Sequence, residues 1–244
     1  TFLHFAIAKT SVPLFVMLSG ALLIGKQEKA SDFFKKRMKR IIAPWLFWSL
    51  IFIPFLGLSY SIDGVKQSLQ SFWFMPMVVG LYVITPALRI FASKASKIHV
   101  VLSFVGIFFA VSVFPFYNQS QAFPYSADNG IVRQVISFLP YYLLGYLLQD
   151  LLLTLRKGIF FGTLLTFCGL LISLISFYVK GGITQESIMY FDYTSPGTVL
   201  TSTGIFILLK NLALHSYFVQ KFKVTVKLIG ACAFGVYFIH PLMV

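Results

Sequence analysis

The sequence predicts an all-α, multispanning transmembrane helix bundle, and three observations predict it. Of 244 residues, 58% are hydrophobic and only 11% charged, with a mean hydropathy of +0.84. Average soluble domains are about 25% charged, so this chain cannot cover a water-facing surface or remain a solvated disordered coil. The apolar residues fall into eight runs, and the basic residues collect in alternate connections between them.

The runs cover residues 5–24, 41–60, 72–91, 100–117, 131–149, 158–179, 196–214 and 228–244. At about 1.5 Å rise per residue, about 20 residues cross a hydrocarbon core of about 30 Å. The first run holds Pro13 and the small cluster Ser19-Gly20-Ala21, which lets a neighbouring helix approach closely. The second follows a basic segment and contains Pro44 and Trp45, and the third opens on Phe72-Trp73-Phe74. Runs four to seven carry few charges, and the eighth ends on Pro241-Leu242-Met243-Val244 with no flanking charge.

The net charge is +13, from 20 Lys and Arg against 7 Asp and Glu. On a soluble protein that excess would suggest nucleic acid. Here 16 bases lie in the first, third, fifth and seventh connections, and only Lys9, Lys66, Arg133 and Lys180 lie on the other side. The heavy side is therefore expected to be cytoplasmic, and nucleic acid is not an expected partner. The outer connections 61–70, 118–130 and 180–195 are short and polar, too short for a separate domain. A chain that starts outside with Thr1, and with no cleavable signal peptide, is expected to be preceded by at least one more span. Residues 1–244 read as one transmembrane domain truncated at both ends.

The residues that could carry chemistry are few. Arg37 and Arg40 are three apart, so on a helix they share a face at the membrane surface. Two guanidinium forks there suit the phosphates of a nucleotide-like cosubstrate, and equally a topology anchor on anionic lipid. Trp73 sits where an outer aromatic belt would place it. Tyr82 lies about halfway along its span with a hydroxyl that needs a partner. His240, with Tyr237 three residues before it, is an ionisable group within the last span, suited to act as a base or to hydrogen-bond another helix. His99 and His215 are expected near the cytoplasmic surface, and His4 lies at the outer end of the chain. Cys168 and Cys232 sit in apolar runs with no ligand spacing around them, so no metal is expected. No GxSxG, phosphate loop or HExxH occurs.

Taken together the motifs resemble the acyltransferase family 3 of bacterial membrane proteins. The resemblance rests on Val12-Pro13-Leu14-Phe15 leading to Ser19-Gly20, then Arg37-x-x-Arg40-Ile-x-x-Pro44, then Trp73-Phe74 followed by Tyr82 and Thr85-Pro86. Tyr141-Tyr142-x-x-Gly145 and Gly235-Val236-Tyr237-x-x-His240-Pro241 complete it. The likeness is greatest to O-acetyltransferases of surface polysaccharides of the enterobacterial common antigen type. It implies a ten-helix enzyme of the bacterial cytoplasmic membrane that moves acetyl from cytoplasmic acetyl-CoA to a glycan hydroxyl beyond the membrane. Arg37 and Arg40 match the family's acyl-donor motif, while Tyr82 and His240 match recurrent positions, with Trp73 and Tyr237 expected to line the substrate path. The family's principal histidine is expected N-terminal to Thr1, so the isolated 244 residues are expected to be inactive. A transporter or flippase for a lipid-linked glycan is the rival reading, disfavoured because the spans show neither inverted repeats nor paired charges. A membrane sensor that uses packing alone is the third.

Overall fold

The computed structural model describes residues 6–113, 130–179, 193–215, 221, 224, 225, 228 and 235–239. Among them the chain is helical with no strand. The helices are α1 (Ser11–Leu23), α2 (Ala30–Phe55), α3 (Ile62–Ser71), α4 (Phe74–Lys94), α5 (Lys97–Phe108), α6 (Gly130–Gln149), α7 (Leu155–Val179) and α8 (Pro196–His215). A π-helical turn, Phe109–Val113, extends α5. Among the described residues six helical segments are long and apolar enough to cross a membrane, the first being α1 extended back to Ala6. They correspond to the first three expected runs and to the fifth, sixth and seventh. The fourth run forms a shorter apolar helix over Lys97–Val113 within the described residues, and most of the eighth lies outside them. Large apolar side chains such as Phe47, Phe55, Val83, Leu102 and Phe167 remain exposed on the outer surfaces of the helices, as a lipid-facing bundle requires.

Two segments differ from the sequence expectation. The basic stretch read as a connection is the first part of α2, which begins at Ala30 and carries Lys35 to Arg40 on its opening turns. A cation-rich turn costs little helix propensity, and charged ends can leave the hydrocarbon. The polar connection 61–70 is helix α3. Ser61 caps it, its hydroxyl accepting from the Gly64 amide at 3.2 Å. The Ser68 hydroxyl donates to the Ser49 carbonyl at 2.6 Å and the Trp45 indole N–H to the Leu69 carbonyl at 3.3 Å, which dock α3 on α2.

Helix α6 is the hub. It packs against α1, α4 and α5, and ten of its 20 residues are buried. Its crossing with α1 is reciprocal. A Cβ on Gly20 would collide with the Tyr142 carbonyl, and one on Gly145 with the Met17 carbonyl. Each helix lays bare backbone against the other, the closest approach that helices in lipid can make. The same logic holds α7 to α8. Gly162 and Gly169 of α7 meet Gly204, Thr201 and Gly197 of α8, and Thr166 packs on Gly204. In hydrocarbon there is no hydrophobic drive between helices, so close van der Waals contact along small residues supplies the association. The Lys210 ammonium donates to the carbonyls of Leu148, Gln149 and Leu151 at 2.7, 2.6 and 2.9 Å, which ties α8 to the C-terminal end of α6.

Gly20→Ala and Gly145→Ala are each expected to destabilise the folded protein by roughly 1–3 kcal/mol, the usual cost of overpacking. Gly106→Ala, with nothing within 4 Å of the added carbon, is expected to be neutral or slightly stabilising. Thermal unfolding of the three variants in nanodiscs checks the ranking.

Candidate functional site

Glu28 lies in the six-residue gap between α1 and α2, where three cationic side chains, Lys36, Arg37 and Arg89, gather around it. Its carboxylate accepts from Arg37 at 3.0 Å and from Lys36 at 3.3 Å. Arg89, in the last turns of α4, stands 3.9 Å away through Nη2. Arg89 is held from both sides. Its Nε donates to the Leu23 carbonyl at 2.8 Å and its Nη1 to the Glu28 carbonyl at 3.3 Å. These bonds fix the C-terminal end of α1, which would otherwise leave orphan carbonyls. The Nη2 group is buried and finds no hydrogen-bond partner among the described residues.

Phe33 lies beneath the cluster, fully buried. The guanidinium carbons of Arg37 and Arg89 stand 4.3 and 4.6 Å from its ring centre. Cation–π contact lets the ring bear two like charges that would repel each other if set face to face. On the bundle side of the same ring sits Tyr82, with ring centres 5.7 Å apart at 70°. Arg37 and Tyr82, separated by 45 positions, are thus joined through one aromatic ring. Deeper in the bundle, Thr85 and Tyr142 share a hydrogen bond of 2.8 Å, and Thr85 also donates to the Leu81 carbonyl at 2.7 Å. Buried hydroxyls among apolar helices require such partners.

The other expected residues are placed as follows. Arg40 is exposed, one turn beyond Arg37, and makes no ion pair with Glu28, so the two arginines share a helix but not a partner. Trp73 caps the start of α4, near the far end of the bundle from Arg89, against Phe138 and Tyr193 with ring centres 6.1 and 5.5 Å apart. It borders a cavity between α2, α3, α4 and α6. Tyr237 packs in an aromatic cluster with Phe72, Phe74 and Phe238 at 5.3–6.2 Å. His240 and His4 lie outside the described residues. His99 and His215 are exposed, each tied to its own helix: His99 Nδ1 to the Ser96 hydroxyl at 2.6 Å, His215 Nδ1 to the Asn211 carbonyl at 3.0 Å. No group of three or more His, Cys, Asp or Glu able to hold a metal ion occurs among the described residues.

Glu28 and Arg89 are the residues that sequence reasoning does not single out. Glu28 reads as a lone acid in a basic connection, and Arg89 as one more base on the heavy side. The sole sequence signal is position, since each sits at the end of an apolar run where two helix termini must be closed together.

A family model described as an acyltransferase domain, acyltransferase 3, matches residues 1–244. The chain belongs to the acyltransferase 3 family. No curated protein and no solved structure matches it significantly. An all-α multispanning bundle of an acyltransferase family is a multi-pass membrane protein. Guanidinium groups gathered at one end of a bundle are suited to an anionic ligand.

Burial alone would raise the Glu28 pKa, but hydrogen bonds from Lys36 and Arg37, and the charge of Arg37, outweigh it. The carboxyl is held below its ordinary range. Its contribution to stability is therefore complete above the pKa of the unfolded carboxyl and is lost as pH falls through the lower folded value. Glu28→Gln is expected to lower the melting temperature at pH 7, and the gap from wild type should narrow as pH falls through the ordinary carboxyl range and below it. Unfolding scans across that range check it.

Proposed function

We propose that this protein is an integral-membrane O-acyltransferase of the bacterial cytoplasmic membrane. It takes an acetyl group from cytoplasmic acetyl-CoA and passes it to a hydroxyl of a cell-surface polysaccharide or its lipid-linked precursor. The observation that carries this reading is the cationic cluster at the start of α2, in a chain of the acyltransferase 3 family.

Arg40 is exposed and takes the first phosphate of the donor. Arg37, oriented by Glu28 on one edge and Phe33 below, offers its remaining N–H groups to the next. Arg89, whose Nη2 stands 3.9 Å from Glu28 and makes no hydrogen bond among the described residues, adds its positive charge behind these two. Glu28 keeps the two inner guanidiniums in place when no donor is bound, so pre-ordering need not be repeated on binding. With the phosphates held there, the thioester arm enters beside Tyr82 toward the middle of the bundle.

In the transfer step the acceptor oxygen attacks the thioester carbonyl carbon. A C–O bond forms, the C–S bond breaks, and the hydroxyl proton passes to a base while the thiolate leaves and is protonated as the free coenzyme. Tyr82 stands along this passage, beside the Phe33 ring that Arg37 covers. The heavy basic side faces the cytoplasm, in line with the charge bias of the connections.

Membranes carrying the full reading frame, fed acetyl-labelled acetyl-CoA, should incorporate label into envelope glycan. Arg37→Ala and Arg40→Ala are each expected to raise the KM for acetyl-CoA about ten- to hundredfold, the value of one charge-assisted phosphate contact. Lys35→Ala, exposed on the same helix, should leave it unchanged. No label above empty membranes would remove the reading. Label unaffected by either arginine would return both to topology anchors.

A further inference from the structure

The cavity beside Trp73 lies at the start of α4, the opposite end of that helix from Arg89, and against the middle of α2, and it has the chemistry of a sugar site. Its volume is about 520 Å³, within the range of small-molecule sites. Trp45, Leu69 and Trp73 form apolar walls, and Lys66 and Gln70 stand exposed at its rim. Gln134 of α6 also lines it. That side chain is only 5% exposed, and its Oε1 has no hydrogen-bond partner among the described residues. A buried amide oxygen without a donor costs about 1–3 kcal/mol. Replacing it with an apolar residue would be the cheaper way to build a wall, so an unmet acceptor here points to a ligand that carries a donor.

We infer that this cavity binds a pyranose unit of the acceptor glycan, with a ring hydroxyl donating to Gln134 Oε1 and an apolar ring face lying against Trp45 or Trp73. A sugar ring presents a C–H face and a polar edge. The cavity offers the complement of both: indole walls, one buried acceptor and two polar side chains at its mouth. A lipid chain would match the walls and leave the amide unmet. The inference rests on the acyl-transfer reading for the role of the bound sugar, though not for its binding. Trp45 follows Arg37 on α2 by about 12 Å along the helix axis, at about 1.5 Å per residue. That is well under the hydrocarbon thickness of about 30 Å, so a donor entering past Arg37 and a sugar held at Trp45 approach each other within the bundle.

The test uses the full-length protein in nanodiscs and three probes: methyl glucoside, methyl galactoside and N-acetylglucosamine. Tryptophan fluorescence should change saturably with at least one of them, since two of the three tryptophans of this chain line the cavity. Gln134→Leu should weaken that binding about tenfold while leaving the melting temperature equal or higher. Gln70→Ala, at an exposed position that cannot disturb the core, should weaken it by a smaller factor. Saturation by none of the three overturns the inference. So does unchanged affinity in Gln134→Leu, a fall in its stability, or saturation by dodecanol with the sugars inert. The same preparations are assayed for transfer of label from acetyl-CoA to glycan. Sugar binding without transfer supports the cavity and removes the acyl-transfer reading, whereas transfer without sugar binding does the reverse.

Discussion

Backbone against backbone at one helix crossing sets the rest of this bundle. Gly20 of α1 and Gly145 of α6 each lie on a carbonyl of the other helix. Water is absent from the hydrocarbon, so apolar side chains alone do not draw helices together. Association depends on how closely the backbones can approach. Once α1 and α6 are locked, Tyr142 is set against Thr85 of α4, and α1 ends where Arg89 can close its last carbonyls. The cationic cluster is a consequence of that register. Move α6 outward by one side chain and the partners of α1 and α4 no longer converge.

The cluster itself shows how like charges are held at a membrane surface without mutual repulsion dominating. One carboxylate accepts from two cations and stands near a third, and one aromatic ring lies beneath two guanidiniums. The Lys36 pair is exposed and contributes little to stability on its own, whereas Arg37 and Arg89 meet Glu28 largely out of solvent, where desolvation offsets much of the attraction. Their value is geometric. Arg89 joins the end of α1 to α4, and Glu28 fixes the orientation of Arg37 at the start of α2. The opposite end of the bundle is built differently, from indole walls, a docked amphipathic helix and one buried amide. Helix α4 thus carries a cationic cluster near one end and, at the other, an aromatic cavity with a buried amide oxygen that has no partner among the described residues.

The spans were legible because bilayer thickness imposes a length that hydropathy reports directly. Helix α3 was not, since Asp63, Lys66, Gln67 and Gln70 lower its hydropathy and hide the period of Ile62, Val65 and Leu69, which line one cavity. The start of α2 was hidden by the same means, as a run of cations reads as a loop although it is a good helix former. At the site, the spacing of Arg37 and Arg40 was visible but not their division into one paired and one free guanidinium. That division depends on Glu28, nine residues before Arg37 in sequence and outside its helix, in the segment that joins α1 to α2. Gln134 was invisible for a related reason, because an unmet hydrogen bond is a property of tertiary surroundings and has no signature in one dimension. The small cluster Ser19-Gly20-Ala21 did carry a packing signal, and Gly20 is where α1 meets α6.

The central claim is that the arginine cluster and the Gln134 cavity face opposite sides of the membrane. Cysteine accessibility tests it most directly. In a full-length protein whose Cys168 and Cys232 are replaced by Ser, Lys35→Cys marks the arginine end and Gln67→Cys marks helix α3 at the cavity end. A membrane-impermeant maleimide added to cells with an opened outer envelope and intact cytoplasmic membrane should label Gln67→Cys. It should label Lys35→Cys only after that membrane is breached, and coenzyme A should slow the second reaction. Labelling of both positions from the same side would contradict the account.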